Sequence, residues 1–113
     1  MCSYQTLYHD KKSGYVICCA GCENLQVTFG NIIVTFNKAD FNQFTGHVKK
    51  LITQQHPASD IAVKSIIIPT ACDGIRLLLN YRELQELEHM LDAADTELQS
   101  LQLIELFKED NIS

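Results

Sequence analysis

The apolar positions of the chain change their period within the first fifty residues. From Leu25 to Phe36 every second residue is apolar on either side of Gly30-Asn31. This alternation predicts two strands, and a Gly-Asn dipeptide between them predicts a two-residue hairpin turn. From Phe41 onward the apolar residues recur at helical spacing, and Asn37 with Asp40 predicts the N-cap of a helix. The segment is therefore interpreted as strand, turn, strand and helix.

The same order of elements is predicted again 43 residues further on. Asp73-Gly74 falls on Gly30-Asn31, and Asn80, followed by Glu83, falls on Asn37. A two-residue turn fixes the register of a hairpin. The first hairpin should pair Phe29 with Ile32, Val27 with Val34 and Leu25 with Phe36, and the second should pair Cys72 with Ile75, Thr70 with Leu77 and Ile68 with Leu79. Pro69 marks the strand from Ile66 to Cys72 as an edge.

These elements predict an α+β fold. Its antiparallel sheet is built from two ββα units with helices on one face, and Tyr15 to Cys19 and residues 3–9 add further strands. The length of 113 residues fits a single domain, 1–113. Unit 1 covers about 14–55, unit 2 about 64–95, and a C-terminal helical extension covers 96–109.

The C-terminal segment has a heptad spacing of apolar residues, which indicates a long helix. Its members are Leu84, Leu87, Leu91, Ala94, Leu98 and Leu101. Asp95-Thr96, with Gln99, could instead cap a second helix, so one long helix and two shorter ones both stay open. Leu103, Ile104, Leu106 and Phe107 add apolar bulk beyond the seam, and Ile33, Ile67 and Leu78 fall on the outer sheet face. We therefore expect a homo-oligomer, most simply a dimer.

Charge divides the chain into two parts. Residues 1–80 hold seven Lys and Arg against five Asp and Glu, whereas residues 81–113 hold two against nine. The acidic segment is either a solvated helix surface or a surface for a basic protein partner. Since there is no basic stripe, binding to nucleic acid is not expected. The sequence has no apolar run that predicts a membrane span and no export signal, so a cytoplasmic location is expected.

The three cysteines at positions 18, 19 and 22 are the main chemical candidates. Cys19 and Cys22 form a C-x-x-C at a turn between two strands, a spacing that zinc sites use to bring two thiolates to one ion. No second C-x-x-C and no paired histidine motif completes four ligands, so a site completed across a dimer is one possibility and a cysteine-bearing tight turn without metal is the other. A redox role would need the motif at a helix N-terminus, whereas a strand follows it here.

The C-x-x-C followed by Thr28-Phe29-Gly30-Asn31 resembles a family of small bacterial proteins of unknown function. The resemblance covers about the first half of the chain. It implies no activity, cofactor or catalytic residue.

Three classes of function follow from these patterns. The first is a non-enzymatic cytoplasmic binding or assembly module that self-associates through apolar helix and sheet surfaces. The second is a zinc-binding module with Cys19 and Cys22 as ligands. The third is a small enzyme. No motif supports an enzyme directly, because His47 and His89 fall on the sides of their helices away from the apolar residues, and no catalytic residue is assigned.

Overall fold

A computed structural model of the chain describes residues 4–19, 24–54, 63–70 and 74–110, with side chains through residue 106. Six strands and two helices lie in these ranges. In chain order they are β1 (Tyr4–Asp10), β2 (Gly14–Cys19), β3 (Leu25–Phe29), β4 (Ile32–Phe36), α1 (Lys38–Gln54), β5 (Ile66–Pro69), β6 (Arg76–Leu79) and α2 (Tyr81–Asp110). The predicted α+β class is confirmed, and the order strand, strand, helix occurs twice.

The first four strands form one antiparallel sheet in the order β1-β2-β3-β4. The register of β3 and β4 is the predicted one, with Phe29 opposite Ile32, Val27 opposite Val34 and Leu25 opposite Phe36. Gly30 opens the turn with φ of 60°, a left-handed conformation that glycine adopts without strain. The predicted strands at Tyr15–Cys19 and at residues 3–9 correspond to β2 and β1.

Gly14, the first residue of β2, lies at a position that requires glycine. Its φ is 134°, and a Cβ atom placed on it would overlap the carbonyl oxygen of Thr28 on the neighbouring strand. Close approach of two backbones is one reason for glycine within a strand. Opposite β2, the register shifts between Thr6 and Tyr8 and leaves Leu7 as an extra residue of β1, whose side chain is buried in the core.

The second hairpin differs from the prediction in its register, and it does not join the sheet of the first hairpin. β5 and β6 form a separate two-stranded sheet in which Ile66 pairs with Leu79 and Ile68 with Leu77. The predicted pairs Ile68–Leu79 and Thr70–Leu77 are therefore wrong by two residues. A shift of two keeps the same side chains on the same face, so the apolar pattern does not distinguish the two registers. The third predicted pair involves Cys72, which lies outside the described residues.

Both helices begin at the predicted caps. The Asn37 side chain accepts a hydrogen bond from the Asp40 amide at 2.7 Å. At Asn80 the capping box is complete, since its side chain accepts from the Glu83 amide at 2.7 Å and its own amide donates to the Glu83 carboxylate at 3.0 Å. From there α2 runs without interruption for 30 residues. Of the two alternatives for the C-terminal segment, the structure has the single long helix.

One hydrophobic cluster joins both sheets and both helices. Each element contributes the apolar side that its sequence period predicts, including the inward positions of β5 and β6. The buried members are Leu7, Val16, Leu25, Val27, Phe36, Phe41, Phe44, Val48, Ile66, Ile68, Leu77, Leu79, Leu84, Leu87, Met90, Leu91 and Ala94.

Candidate functional site

The two ends of α2 have different surroundings although the heptad spacing continues through both. The N-terminal part, residues 81–94, is packed into the core, and the seam residues from Leu84 to Ala94 are completely buried. Leu98 and Leu101 are half-buried against the edge of the cluster. Beyond them Leu103 and Leu106 are each 57% exposed and Ile104 is 50% exposed. We call residues 98–106 the α2 tail.

The outward side of α2 also changes chemistry at this point. Before residue 101 it presents polar groups such as Asp92, Gln99 and Ser100, all of them exposed. Leu103 and Leu106 then continue the same outward side, while Ile104 faces a third direction at about 100° per residue. Exposed apolar side chains concentrated in one short segment are typical of an interaction surface. The tail is therefore a helix segment whose composition calls for a covering surface.

The shape of the molecule agrees with a projecting helix. The Cα positions extend over 59 Å along the longest axis and over 26 and 25 Å along the others, and the radius of gyration is 15.6 Å. A compact domain of this length has a radius of gyration of about 13 Å. A helix of 30 residues is about 45 Å long, so it cannot be covered along its whole length by a body about half as wide.

A groove lies where the α2 tail crosses the end of the sheet. Its volume is about 180 Å³. Strands and the start of α1 supply one wall, and the tail supplies the other. The lining residues are Gln5, Cys18, Cys19, Leu25, Lys38, Leu98, Leu101, Gln102 and Glu105.

Cys19, one member of the predicted metal pair, lines this groove. Cys19 is the last residue of β2, is 3% exposed, and donates its backbone N–H to the Asn24 carbonyl at 2.8 Å. Cys19 therefore lies one residue beyond the last β2–β3 pair, Cys18 with Leu25, and the rest of the C-x-x-C falls within residues 20–24 of the sequence, between the two strands. Cys22 lies outside the described residues. Among the residues that are described, no three His, Cys, Asp or Glu side chains converge as metal ligands.

Cys18 is held in its neutral form by its surroundings. Burial raises the pKa of the Cys18 thiol, and the neighbouring Cys19 raises it further. A thiol acts as a nucleophile or metal ligand only as the thiolate. In addition, the part of the groove that the structure describes contains no histidine. Cys18 thus has the features of a structural cysteine within an apolar groove.

The histidines on the helices are both exposed, as the sequence indicated. His89 lies edge-on to the ring of Tyr8, with 5.9 Å between the centroids, and so sits beside β1. His47 lies near the β5 end of the molecule, away from the cysteines. Neither is placed to act as a base for Cys18 or Cys19.

The outer face of the second hairpin is a further apolar surface. Ile67 and Leu78 form a cross-strand pair in the β5–β6 ladder, and both are more than half exposed. Ile33 on β4 is exposed to a similar degree. The expectation that these three residues lie on an uncovered face of the chain is confirmed.

Two residues that line the groove have no signal in the sequence that relates them to it. Gln5 and Lys38 come from β1 and from the first turn of α1, elements that are far from α2 in sequence. No local pattern relates them to the tail, because their proximity depends on the crossing of α2 over the sheet. The apolar residues of the tail itself, in contrast, were recognisable from their position beyond the heptad seam.

No helix among the described residues is long and apolar enough to cross a membrane.

The fold and the exposed surfaces define a small α+β protein with a projecting apolar helix end. A family model matches residues 1–110, and the chain belongs to this family, which is described as a family of unknown function, DUF6686. The prediction of similarity to a family of unknown function is confirmed at that level, and the match continues well past the first half of the chain. No curated protein and no solved structure matches the sequence.

Proposed function

We propose that the protein is a non-enzymatic cytoplasmic assembly module that forms a homodimer through the α2 tail. The observation that carries this proposal is the exposure of Leu103, Ile104 and Leu106 on an ordered helix. Fully burying an aliphatic side chain from water contributes about 1.5–3 kcal/mol, and these side chains, about half exposed, would gain roughly half of that each. Three such side chains on one projecting segment therefore contribute favourably to the free energy of association with a surface that covers them.

A second copy of the same chain is the occupant that charge favours. Residues 81–113 carry nine acidic and two basic residues, whereas residues 1–80 carry five acidic and seven basic residues. Two tails that lie antiparallel place the acidic end of each helix toward the more basic body of the other copy. A parallel arrangement would place the two acidic segments side by side, which like charges disfavour.

The size of a stable interface indicates that the contact extends beyond the tip of the tail. A specific interface buries about 800 Å² on each partner, which is more than three aliphatic side chains provide. Ile104 follows Leu101 by three residues, so the half-buried Leu98 and Leu101 and the groove beside them extend the apolar surface on that side of the helix. An isologous dimer would use this same surface on both copies. Lys38, in the groove, would then lie close to the acidic tail of the other chain.

The mass of the protein in solution tests this proposal. Light scattering after size exclusion, from low micromolar to submillimolar protein, should give twice the monomer mass of 12.8 kDa. The variant with Leu103→Gln, Ile104→Gln and Leu106→Gln should give the monomer mass and an unchanged far-UV circular dichroism spectrum. Since Gln has a good helix propensity, the substitutions remove apolar surface without breaking the helix.

A matched control addresses the other apolar surface. The variant with Ile67→Gln and Leu78→Gln changes exposed residues of the β5–β6 ladder and should leave the mass at that of a dimer. If the wild-type protein were a monomer over the whole concentration range, the proposal would be wrong. A dimer that survives in the tail variant and is lost in the hairpin variant would move the interface to the second hairpin.

A zinc-binding module is the second candidate. It is favoured by the position of Cys19, which ends β2 and donates its amide to the Asn24 carbonyl, with Cys22 three residues further on in the sequence. Two ligands from one turn need further donors, and a dimer can supply a second pair. Elemental analysis of protein purified without chelators tests this. Zinc at one equivalent per dimer, lost in Cys22→Ser, would support the candidate, whereas metal-free protein with all thiols titratable would contradict it.

A further inference from the structure

A second concave site lies at the opposite side of α1 from the cysteine groove. Its volume is about 340 Å³, within the range of small-molecule sites, about 300–1,000 Å³. It occupies the gap between α1 and the end of β5. The lining residues are Phe36, Asp40, Gln43, Phe44, His47, Pro69 and Thr70.

Three polar side chains reach this pocket from one stripe of α1. Asp40, Gln43 and His47 are spaced by three and four residues, so they follow one another along the same side of the helix. The stripe covers two turns, or about 10 Å. Phe36 and Phe44 form the apolar floor, with their ring centroids 4.9 Å apart. The pocket thus combines an apolar floor with a row of hydrogen-bonding groups.

The charge of the pocket is set by Asp40. Among the described residues that line the pocket, Asp40 is the one carboxylate, and its side chain is half-buried. Lys38 is two residues away but lines the cysteine groove on the other side of α1. The positive end of the helix is also partly engaged, because the amides of Asp40 and Phe41 donate to the Asn37 side chain and to its carbonyl, respectively.

The β5 side of the pocket is held in place by a hydrogen bond. The Thr70 hydroxyl donates to the Ile75 carbonyl at 2.7 Å, which ties the end of β5 to the strand that returns from it. Pro69, next to Thr70, has a fixed φ and limits the movement of the same wall. Helix and strand therefore present the lining groups from two anchored elements.

We propose that this pocket binds a small organic ammonium compound that carries a hydrogen-bonding group at its other end. The ammonium group pairs with the Asp40 carboxylate. The body of the ligand contacts the exposed Pro69 and the accessible edge of Phe44, and the distal group reaches Gln43 or His47. The distance along the stripe suits a ligand of about 10 Å.

Three phenols of nearly identical shape test the proposal. Tyramine carries an ammonium group, tyrosol a neutral hydroxyl and 4-hydroxyphenylacetate a carboxylate at the same end of the molecule. In ¹H–¹⁵N NMR titrations of the full chain, tyramine should shift the amides of Asp40, Gln43, His47 and Thr70 to saturation. Its Kd should be about fivefold lower than that of tyrosol, the difference expected for one exposed charge pair. The carboxylate should bind least.

Variants separate the charge of Asp40 from the shape of the pocket. Asp40→Asn should bring the Kd values of tyramine and tyrosol to the same level, while His47→Ala should weaken both. Glu97→Gln, which removes an exposed acidic group from the other helix, should leave the preference intact. The amide spectrum of each variant shows whether it is folded.

Specific results would overturn the proposal. They are the absence of saturable shifts at the lining amides with tyramine, equal or tighter binding of the carboxylate, and an unchanged preference for tyramine in Asp40→Asn. The readout does not depend on the oligomeric state, because the pocket and the α2 tail lie on different parts of the molecule. The tail variant should bind tyramine as the wild-type protein does.

Discussion

The two halves of α2 share one heptad seam, which runs from Leu84 to Leu101, but they have different surroundings in the structure. From Leu84 to Ala94 the seam is buried, at Leu98 and Leu101 it is half-buried, and the apolar residues beyond it are exposed. A heptad spacing therefore specifies an apolar stripe on a helix but does not determine which surface covers that stripe. Within one chain, the first half of the stripe completes the core and the second half is left for another surface.

The difference arises from the length of the helix relative to the body. The first half crosses both sheets, so Leu84, Leu87 and Leu91 have strands beneath them. The second half reaches the end of the sheet, where Leu98 and Leu101 share a groove with strand residues, and the apolar residues that follow them are exposed. Lys49 of α1 still pairs with Asp92 at 3.1 Å, close to the point where the buried part of the seam ends.

The largest effect is expected from a pair of alanine substitutions placed one in each half. Leu87→Ala removes a completely buried side chain and should lower the free energy of unfolding by about 3 kcal/mol. Leu106→Ala should change it by less than about 0.5 kcal/mol in the monomer, because the side chain is mostly in water already. Urea unfolding at the lowest practical protein concentration measures both.

The same pair distinguishes folding from association. At high protein concentration the loss in Leu106→Ala should grow, since a dimer adds stability that depends on concentration. The loss in Leu87→Ala should be nearly independent of concentration. Equal losses of unfolding free energy for the two variants in dilute solution would mean that the tail packs against the body of its own chain. That result would contradict the difference between the two halves.

A smaller effect is expected at the start of the buried half. Asn80→Ala removes the side-chain acceptor of the capping box, whose bond to the Glu83 amide is 2.7 Å long. We expect a loss of about 1 kcal/mol. Thermal unfolding followed by circular dichroism measures it, and Arg82→Ala, an exposed position in the same turn, is the control. A loss below that of the control would mean that packing alone defines this helix end.

Much of the fold follows from local patterns in the sequence. The register of β3 and β4 was predictable because Gly30-Asn31 fixes the turn and one face is apolar. The caps at Asn37 and Asn80 were predictable because their partners are three residues away. The register of β5 and β6 was not, since two alternatives that differ by two residues place the same side chains in the core.

The surfaces were predictable only in part. The apolar tail and the exposed pair of Ile67 and Leu78 follow from the sequence. Side chains alternate between the two faces of a strand, so the residues that face away from the core are known once those that face it are identified. The groove around Cys18 and the pocket of Asp40 and His47 do not follow. Both join residues from elements distant in the chain, and their positions depend on how α1 and α2 cross the sheets.

The smallest effect is expected at Asp95. A substitution there tests whether the two halves of α2 form one continuous helix. The carboxylate accepts a hydrogen bond from the Gln99 side chain at 3.0 Å within a continuous helix. Asp95→Ala loses this pair, worth about 0.2–0.5 kcal/mol, and gains the better helix propensity of alanine, up to about 0.7 kcal/mol. The two nearly cancel, so chemical unfolding should show a change within about 0.5 kcal/mol in either direction.

If Asp95 instead capped a separate helix, the substitution would cost about 1 kcal/mol and reduce the helical circular dichroism signal. Gln99→Ala, which removes the same pair and keeps Asp95, separates the two explanations, because only a cap would make Asp95→Ala the more damaging variant.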